Sequence, residues 1–488
     1  MDSTNIGKSI VSIGLAIFAI KFIFKSNNES YSIPEHMIPL DVIKIMDTFE
    51  SQGYEVLIVG GAVRDALLGE TPKDYDLATD AMPEDVENII RPLKGFEYVN
   101  TPKGNIARGA LTSLVLAPDG ELIEITTYRA ELGYEDGNRA KPIAIPAKSF
   151  IEDAQRRDFT INAIAMDKYG KIIDPMNGLA DLKKGIIRAV GNPTERFTED
   201  PLRMIRAIRF ATRLNFQLEN HTSRAILDNV SRTTLLSNQR LREEIGKVLT
   251  QPDGFKMLME YNIIPTLMPE MVDLKQYMHS LEYHPEGSLY NHYIKAFETF
   301  NENPNRTEMG AWALLFHDIA KPATAKWNGS FHTFLRHDVI GEKIILENYN
   351  YQNSPFQFTK KELNAMAWVT KNHLSPFWNM TKKSKVAKLA NDVNFSLLVE
   401  VAKADSMDLN SELFQSRLEY FDEVKEEIQS RKSKAGSKPK DFAMRVFKEL
   451  NIPPSIERNN IMLQIDEMIS SGEAHSHDNA LDILKERL

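Results

Sequence analysis

Apolar residues recur at helical spacing from Ile43 to Phe49, and then the pattern changes. The run "YEVLIVGG" is continuously apolar and ends in two glycines, which predicts a short buried strand. "AVRDALLG" returns to a helical period and stops at Gly69. "KDYDLAT" alternates and predicts a second strand, and "MPEDVENII" opens a helix with Pro83 in its first turn. "ARGALTSLVL", the turn "APDG" and "ELIEITTYR" predict a hairpin. Val56 to Arg129 therefore forms a mixed α/β unit with a small sheet. Beyond about Ser149 the strand signals thin out. Helical patterns such as "PLRMIRAIRFATRL", "LREEIGKVLT", "GAWALLFHDIA" and "NFSLLVEVAKADSMDL" run to the end, with "SRKSKAGSKPK" setting off a last helical segment. The fold class is α+β: a small-sheet head followed by an all-α body.

The 488 residues are too many for one ordinary domain, so two to four are expected. The chain has no cysteine, which excludes disulfides and thiolate metal sites and leaves carboxylates or histidines to hold any metal. A net charge of -9 excludes a general polyanion binder but permits a local basic face. Residues 9–24 are almost wholly apolar, with Lys8, Lys21 and Lys25 around or among them, and are followed by a polar linker. This run is shorter than the ~20 residues of a full span. It fits either a membrane anchor with Lys21 snorkelling or an amphipathic helix docked on protein. No small-residue cleavage site follows it.

Asp74 and Asp76 are one residue apart in a predicted strand and so share a face. Like charges that close either raise one carboxyl's pKa or bind a hard divalent cation through oxygen. Magnesium held this way suits phosphoryl transfer, and Glu124 on a neighbouring predicted strand can supply a third carboxylate. Gly60 and Gly61 end the strand just upstream, where backbone can approach a triphosphate, and Arg64 follows at the start of a helix.

"VGGAVRDALLGETPKDYDLATD" resembles the signature of class II tRNA nucleotidyltransferases, the CCA-adding enzymes, which share a polymerase-β-like head with bacterial poly(A) polymerases. The resemblance continues in order through "RRDFTINAIA", "DPMNGLADL", "EDPLRMIRAIRF" and "RLREEIGKVL", over roughly residues 40 to 270. It implies a nucleotidyltransferase head at 31–150, a helical RNA-binding neck at 151–270, a further helical domain at 271–430 and a helical tail at 431–488, behind the apolar segment at 1–30. The implied activity is template-independent addition of CCA to the tRNA 3′ end from CTP and ATP, with Mg2+, in the cytoplasm or on a membrane facing it.

The resemblance also implies roles. Asp74 and Asp76, with Glu124, are the catalytic carboxylates. Gly60, Gly61 and Arg64 hold the triphosphate. Asp158 reads the ribose, supported by Asn162, and Arg157 meets a phosphate. Asp200 and Arg203, three apart and expected on one helix face, imitate a Watson–Crick edge, while an ordinary helix cap at Asp200 is the bland alternative. Arg206 binds nucleotide. The polar segment after Arg129 resembles the family's flexible loop. Lys183, Lys184, Arg188, Arg196, Arg203, Arg206, Arg209 and Arg213 make a basic stripe suited to the phosphates of a tRNA acceptor arm. A poly(A) polymerase remains the rival within this chemistry.

A second set of residues lies downstream. His292, His317–Asp318, His337, His373 and Asp405 occur in an order resembling the HD superfamily of metal-dependent phosphohydrolases. That implies a divalent transition metal (nickel, manganese or iron) on His292, His317, Asp318, His337 and Asp405, activating water against a phosphoester. It leaves open whether such a centre accompanies the transferase or is the main activity beside a vestigial head. A non-catalytic, membrane-tethered RNA-binding protein is the remaining alternative, against which the intact pair of aspartates argues.

Overall fold

The computed structural model describes residues 33, 37–99, 111–134, 142–350, 352–375, 383–407, 412–453 and 457–487. The apolar run at 9–24 and the tip of the expected flexible loop, 135–141, lie outside the described residues. Among the described residues no helix is long and apolar enough to cross a membrane. The chain divides into two compact units: residues up to Arg240 with Met257–Leu267, and Leu241–Lys256 with Met268 onward.

The first unit is built on a seven-stranded sheet. Its strands are β1 (Val56–Val59), β2 (Asp76–Thr79), β3 (Glu97–Val99), β4 (Thr112–Leu116) and β5 (Leu122–Thr127). A ribbon of β6 (Arg129–Tyr134) and β7 (Pro142–Pro146) follows, then β8 (Ala165–Met166) and β9 (Ile172–Ile173). The sheet order is β3-β4-β5-β2-β1-β8-β9, with β2 and β5 parallel and the other pairings antiparallel. β1 is apolar throughout because both its faces are covered. Val56 and Ile58 enter a large core with Ile45, Met46 and Phe49, while Leu57 and Val59 enter a smaller one with Tyr128 and Phe150. The helix Leu40–Ser51 buries Val42, Ile45, Met46 and Phe49 against this sheet.

Two features differ from the sequence expectation. The sheet does not stop near residue 150, since β8 and β9 complete it, and strands two residues long carry no readable period. The polar segment after Arg129 is not irregular at its base. It pairs as β6 with β7, Arg129 opposite Pro146 and Ala130 opposite Ile145.

In the second unit the helix Glu308–Phe316 is buried from Gly310 to Phe316, and Trp312 and Phe316 pack among Tyr349, Phe356 and Phe358. This fixes the chain immediately before His317. The unit is not all helical: Ala325–Trp327 and His332–Phe334 form an antiparallel hairpin. The last helical segment is set off at Gly436 and not at residue 431, because helix Glu412–Ala435 runs through "SRKSKA" and stops at Gly436, whose φ is +74°. Lys and Arg are good helix formers, so only the glycine ends it. The last three helices, Phe442–Glu449, Glu457–Ser471 and His477–Arg487, close on their own core of Phe442, Val446, Ile465, Ile469, Leu481 and Leu484.

Candidate active site and a histidine-rich centre

Asp74 and Asp76 are exposed while Tyr75 and Leu77 are buried, so the alternation places both acids on one side. Only Asp76 belongs to β2; Asp74 lies in the extended residues before it. Leu77 pairs with Ile125 on β5, so Asp76 and Glu124 share the opposite, exposed face of neighbouring strands. Desolvation first, then Glu124 and Asp74, push the Asp76 carboxyl from 3.8 up to about 6, with Arg157 pulling the other way.

Val59 pairs with Asp76, which puts the glycine turn one residue beyond these acids. Gly60 has φ +70°, which favours glycine, and a Cβ there would stand 3.4 Å from Arg157 Nη1. Its N–H donates to the Ile164 carbonyl at 3.3 Å, so that donor serves the sheet and not a free triphosphate cradle. Arg64 is buried: its guanidinium donates to Asp65 Oδ1 and, at 2.6 Å, to Asn162 Oδ1. It is a brace beside the turn, where an exposed anion contact was expected.

Asp158 lies in the same network. Its Oδ1 accepts from the Phe159 N–H at 2.8 Å and from Asn162 Nδ2 at 3.0 Å, and its Oδ2 takes Nε and Nη2 of Arg206 at 2.8 and 2.7 Å. Against burial, Arg206 and Asn162 hold this carboxyl below its ordinary value. Arg157 binds Asp153 Oδ2 at 2.9 Å and the Asn162 carbonyl at 3.2 Å. Asp153 is itself buried, accepts from the Arg129 N–H at 3.2 Å, and pairs with Arg156 at 2.9 Å. It thus ties the base of the β6–β7 ribbon to Arg157.

Asp200 and Arg203 do not share a helix face. Asp200 ends the helix Pro193–Glu199 in an extended conformation, and the next helix begins at Leu202. The two Asp200 oxygens divide their work: Oδ1 accepts from the Leu202 N–H at 3.1 Å as a cap, and Oδ2 meets Arg240 at 2.7 Å. Arg203 reaches Glu199 at 2.7 Å and the Arg156 carbonyl at 2.9 Å. The expected basic stripe is largely tied up internally. Arg188 pairs with Asp181, Arg196 with Glu199, Arg206 with Asp158 and Arg213 with Asp65.

Sequence reading assigned no role to Asp153 or Arg240. Arg240 opens the quoted motif "RLREEIGKVL" and Asp153 lies three residues before "RRDFTINAIA", but nothing in spacing alone says that Asp153 faces the ribbon or that Arg240 faces Asp200.

In the second unit four histidines converge. Nδ1 of His317, His337 and His373 faces the carbonyls of Leu314, Phe334 and Thr370 at 2.6–2.7 Å, and Nδ1 of His292 faces Glu286 Oε1 at 3.1 Å. In the neutral tautomer with the proton on Nδ1, the form that ligates a metal, each ring points its Nε2 lone pair inward. His292 Nε2 and His317 Nε2 are 3.3 Å apart, as are those of His337 and His373. Between the pairs stands Asp318: Oδ2 lies 3.2 Å from both His292 and His317, and Oδ1 lies 3.3 and 3.5 Å from His337 and His373. Both its oxygens are buried without an aligned hydrogen bond. Asp405 joins the first pair, 3.1 Å from His292 and 3.6 Å from His317.

These groups behave as charges held together without a metal. Against burial and Lys321, hydrogen bonds to Asp318, Asp405 and Glu286 push His292 up to about 10. Against burial, Asp318 and Asp405 push His317 up to about 9. Opposed by desolvation, His317 and Lys321 hold Asp318 well below the carboxylate range. Burial and Lys321 hold His279 down at about 2, hence neutral.

The donor set fits divalent transition metals: imidazole lone pairs and carboxylates aimed at a common point. Among the described residues the candidate ligand atoms fall into three groups, each within 4.8 Å: two share Asp318, His292–His317–Asp318 and Asp318–His337–His373, and a third, His279, His284, Glu286 and His292, adjoins them through His292. His373, part of the ordered set in the sequence, lies with His337 beside Asp318 Oδ1.

Residues 56–188 match the family "Poly A polymerase head domain", and residues 215–274 match "Probable RNA and SrmB-binding site of polymerase A". The CCA-adding enzyme of Lactobacillus helveticus is 43% identical over 209 residues, 43% of this chain and 49% of that protein. That of Lactobacillus gasseri is 37% identical over 273 residues, 56% of this chain and 62% of that protein. The chain spans about half the length of the curated relatives it matches. Among solved structures, Bacillus stearothermophilus CCA-adding enzyme in complex with CTP superposes with TM-score 0.65 at 24% identity, covering 92% of this chain and 96% of that one. Thermotoga maritima CCA-adding enzyme complexed with tRNA gives TM-score 0.57 at 18% identity, covering 94% and 100%. At these identities the structural likeness speaks for the fold.

Proposed function

We infer from the match of residues 56–188 and 215–274 to the poly(A) polymerase head and RNA-binding families that this chain is a template-independent tRNA nucleotidyltransferase. It adds C, C and A to tRNA 3′ ends from CTP and ATP, releasing pyrophosphate. Named relatives in the head region are CCA-adding enzymes, which favours this reading over poly(A) synthesis.

The observation that carries the mechanism is the placement of Asp76 and Glu124 on the exposed face of neighbouring strands, with Asp74 exposed just before them, beside the Gly60 turn. Three carboxylates on one face suit Mg2+, which when bound lowers the charge on the attacking hydroxyl and the leaving pyrophosphate. Arg157 stands at the glycine turn and presents positive charge to the triphosphate. Asp158, whose oxygens are held by the Phe159 N–H, Asn162 and Arg206, accepts from the ribose hydroxyls when Arg206 gives way, so a nucleotide lacking one leaves a polar group unpaired. Asp200 Oδ2 exchanges Arg240 for the base edge while Oδ1 keeps its cap. Arg203 turns from Glu199 toward the base. The neck carries the tRNA acceptor arm. In the test, Asp76→Ala abolishes nucleotide incorporation while gel-shift binding of tRNA stays within about twofold; retained turnover would refute the carboxylate assignment.

A second activity is favoured by one specific observation, the convergence of four imidazoles on the buried Asp318, whose Oδ2 also meets Lys321. We assign this centre to a metallophosphohydrolase. His292, His317, Asp318 and Asp405 hold one manganese, nickel or iron ion, and Asp318, His337 and His373 hold another, which when bound supplies an activated water. Glu286 orients His292 from outside. Metal analysis of the purified chain tests it: one to two transition-metal ions per chain are expected, and none after loading with manganese would refute it.

A further inference from the structure

The hairpin of the second unit carries a row of rings leading away from the histidine-rich centre. Trp327 pairs with His332 and Ala325 with Phe334, so Trp327, His332 and Phe334 share one face. The innermost ring belongs to the centre. Phe334 lies 5.1 Å from the His279 ring and 5.6 Å from Lys321 Nζ, and that ammonium is 2.6 Å from Asp318 Oδ2. Outward, His332 follows Phe334 at 6.3 Å and Trp327 follows His332 at 5.0 Å. Phe334 is half-buried, whereas Trp327 is 57% exposed. A tryptophan whose only work is to hold a hairpin together is ordinarily covered.

One cation, Lys321, lies against the inner end of the row, and a second, Arg336, follows Phe334 by two residues in the chain. Lys321 is buried, and Asp318 is its counter-ion only until that carboxylate binds metal. Arg336, one residue before His337, is exposed, and among the described residues its guanidinium makes no ion pair or hydrogen bond. Rings that accept any planar base, with a cation at their inner end that accepts phosphate, make the chemistry of single-stranded nucleic-acid binding. An acidic peptide would satisfy the cations but offers nothing planar to the rings.

We propose that this face seats a single-stranded nucleic-acid end, its terminal phosphate at the histidine-rich centre and its bases on Phe334, His332 and Trp327. The ring separations exceed the ~3.4 Å rise of stacked nucleotides, so the strand lies opened along the hairpin. The proposal rests on the metallophosphohydrolase reading for where the phosphate sits, and on the hairpin alone for the bases.

The test uses the full chain, stripped of metal with EDTA, and a pentaribonucleotide carrying 2-aminopurine beside a 3′-terminal phosphate. Binding should quench the 2-aminopurine. Trp327→Ala should raise Kd about tenfold while Trp327→Phe stays within about twofold. With manganese restored, Trp327→Ala should raise KM for the oligonucleotide about tenfold and leave p-nitrophenyl phosphate turnover unchanged. Equal Kd values for Trp327→Ala and the unsubstituted chain would overturn the stacking face, as would displacement by polyglutamate at the concentration at which unlabelled oligonucleotide displaces. No manganese-dependent hydrolysis of p-nitrophenyl phosphate by the unsubstituted chain would overturn the hydrolase reading and the placing of the phosphate with it.

Discussion

Replacing Asp76 with asparagine should stabilise the metal-free protein while disabling it. The crowded carboxyl stands at about 6, against an ordinary 3.8. Ionising it in the folded state therefore costs at most about 3 kcal/mol. The side chain is exposed, so solvent screening reduces this to about 1 kcal/mol. A raised carboxyl destabilises when ionised, so the cost is full above pH 6 and fades between about pH 6 and pH 4. In EDTA at pH 7.5, Asp76→Asn should raise the melting temperature of the first unit by about 2–4 °C, and the gain should shrink as pH falls through that window. Magnesium should then act selectively: at ~10 mM it raises the melting temperature of the unsubstituted chain and not of the variant. Differential scanning calorimetry with and without EDTA reads both effects. A variant that melts lower in EDTA, or an equal magnesium shift in both proteins, would refute the idea that these acids are held in readiness for a cation.

Two further outcomes follow from the geometry. Asp200→Asn keeps an oxygen for the Leu202 N–H but loses the charge facing Arg240, so folding should change by less than about 1 kcal/mol while discrimination of CTP and ATP against UTP and GTP weakens; single-nucleotide incorporation assays with unchanged selectivity would reduce Asp200 to a cap. Titrating Mn2+ into the metal-free chain at pH 7.5 should release about two protons with the first ion, because His292 and His317 stand at about 10 and about 9 and must deprotonate to ligate; indicator-dye or calorimetric titration in buffers of different ionisation enthalpy measures this, and no release would contradict the assignment.

The head was legible in the chain because its strands are short, apolar and punctuated by glycine, and because the D-x-D alternation survives folding: Asp74 and Asp76 outward, Tyr75 and Leu77 inward. What escaped were contacts made by long side chains across sequence. Arg64 reads as a helix-start cation, yet burial turns it inward to Asp65 and Asn162. Asp200 and Arg203 read as helix neighbours by spacing, yet Pro201 breaks the chain between helices and sends them to Arg240 and Glu199. The basic stripe was visible as composition, but composition does not show that Asp158, Asp181 and Asp65 lie opposite it. The histidines were legible by order, while the sharing of Asp318 between two pairs needed three dimensions. Strands of two or three residues, β8, β9 and the hairpin at Trp327, fall below the length at which alternation can be told from chance.

The most direct measurement is extension of a tRNA that ends before its CCA, with each nucleotide alone and with CTP and ATP together, resolved to single residues. The account predicts two additions with CTP alone, three and a stop with both, and none by Asp76→Ala. Long tails with ATP alone, or no extension by the unsubstituted chain in the presence of magnesium, would contradict it.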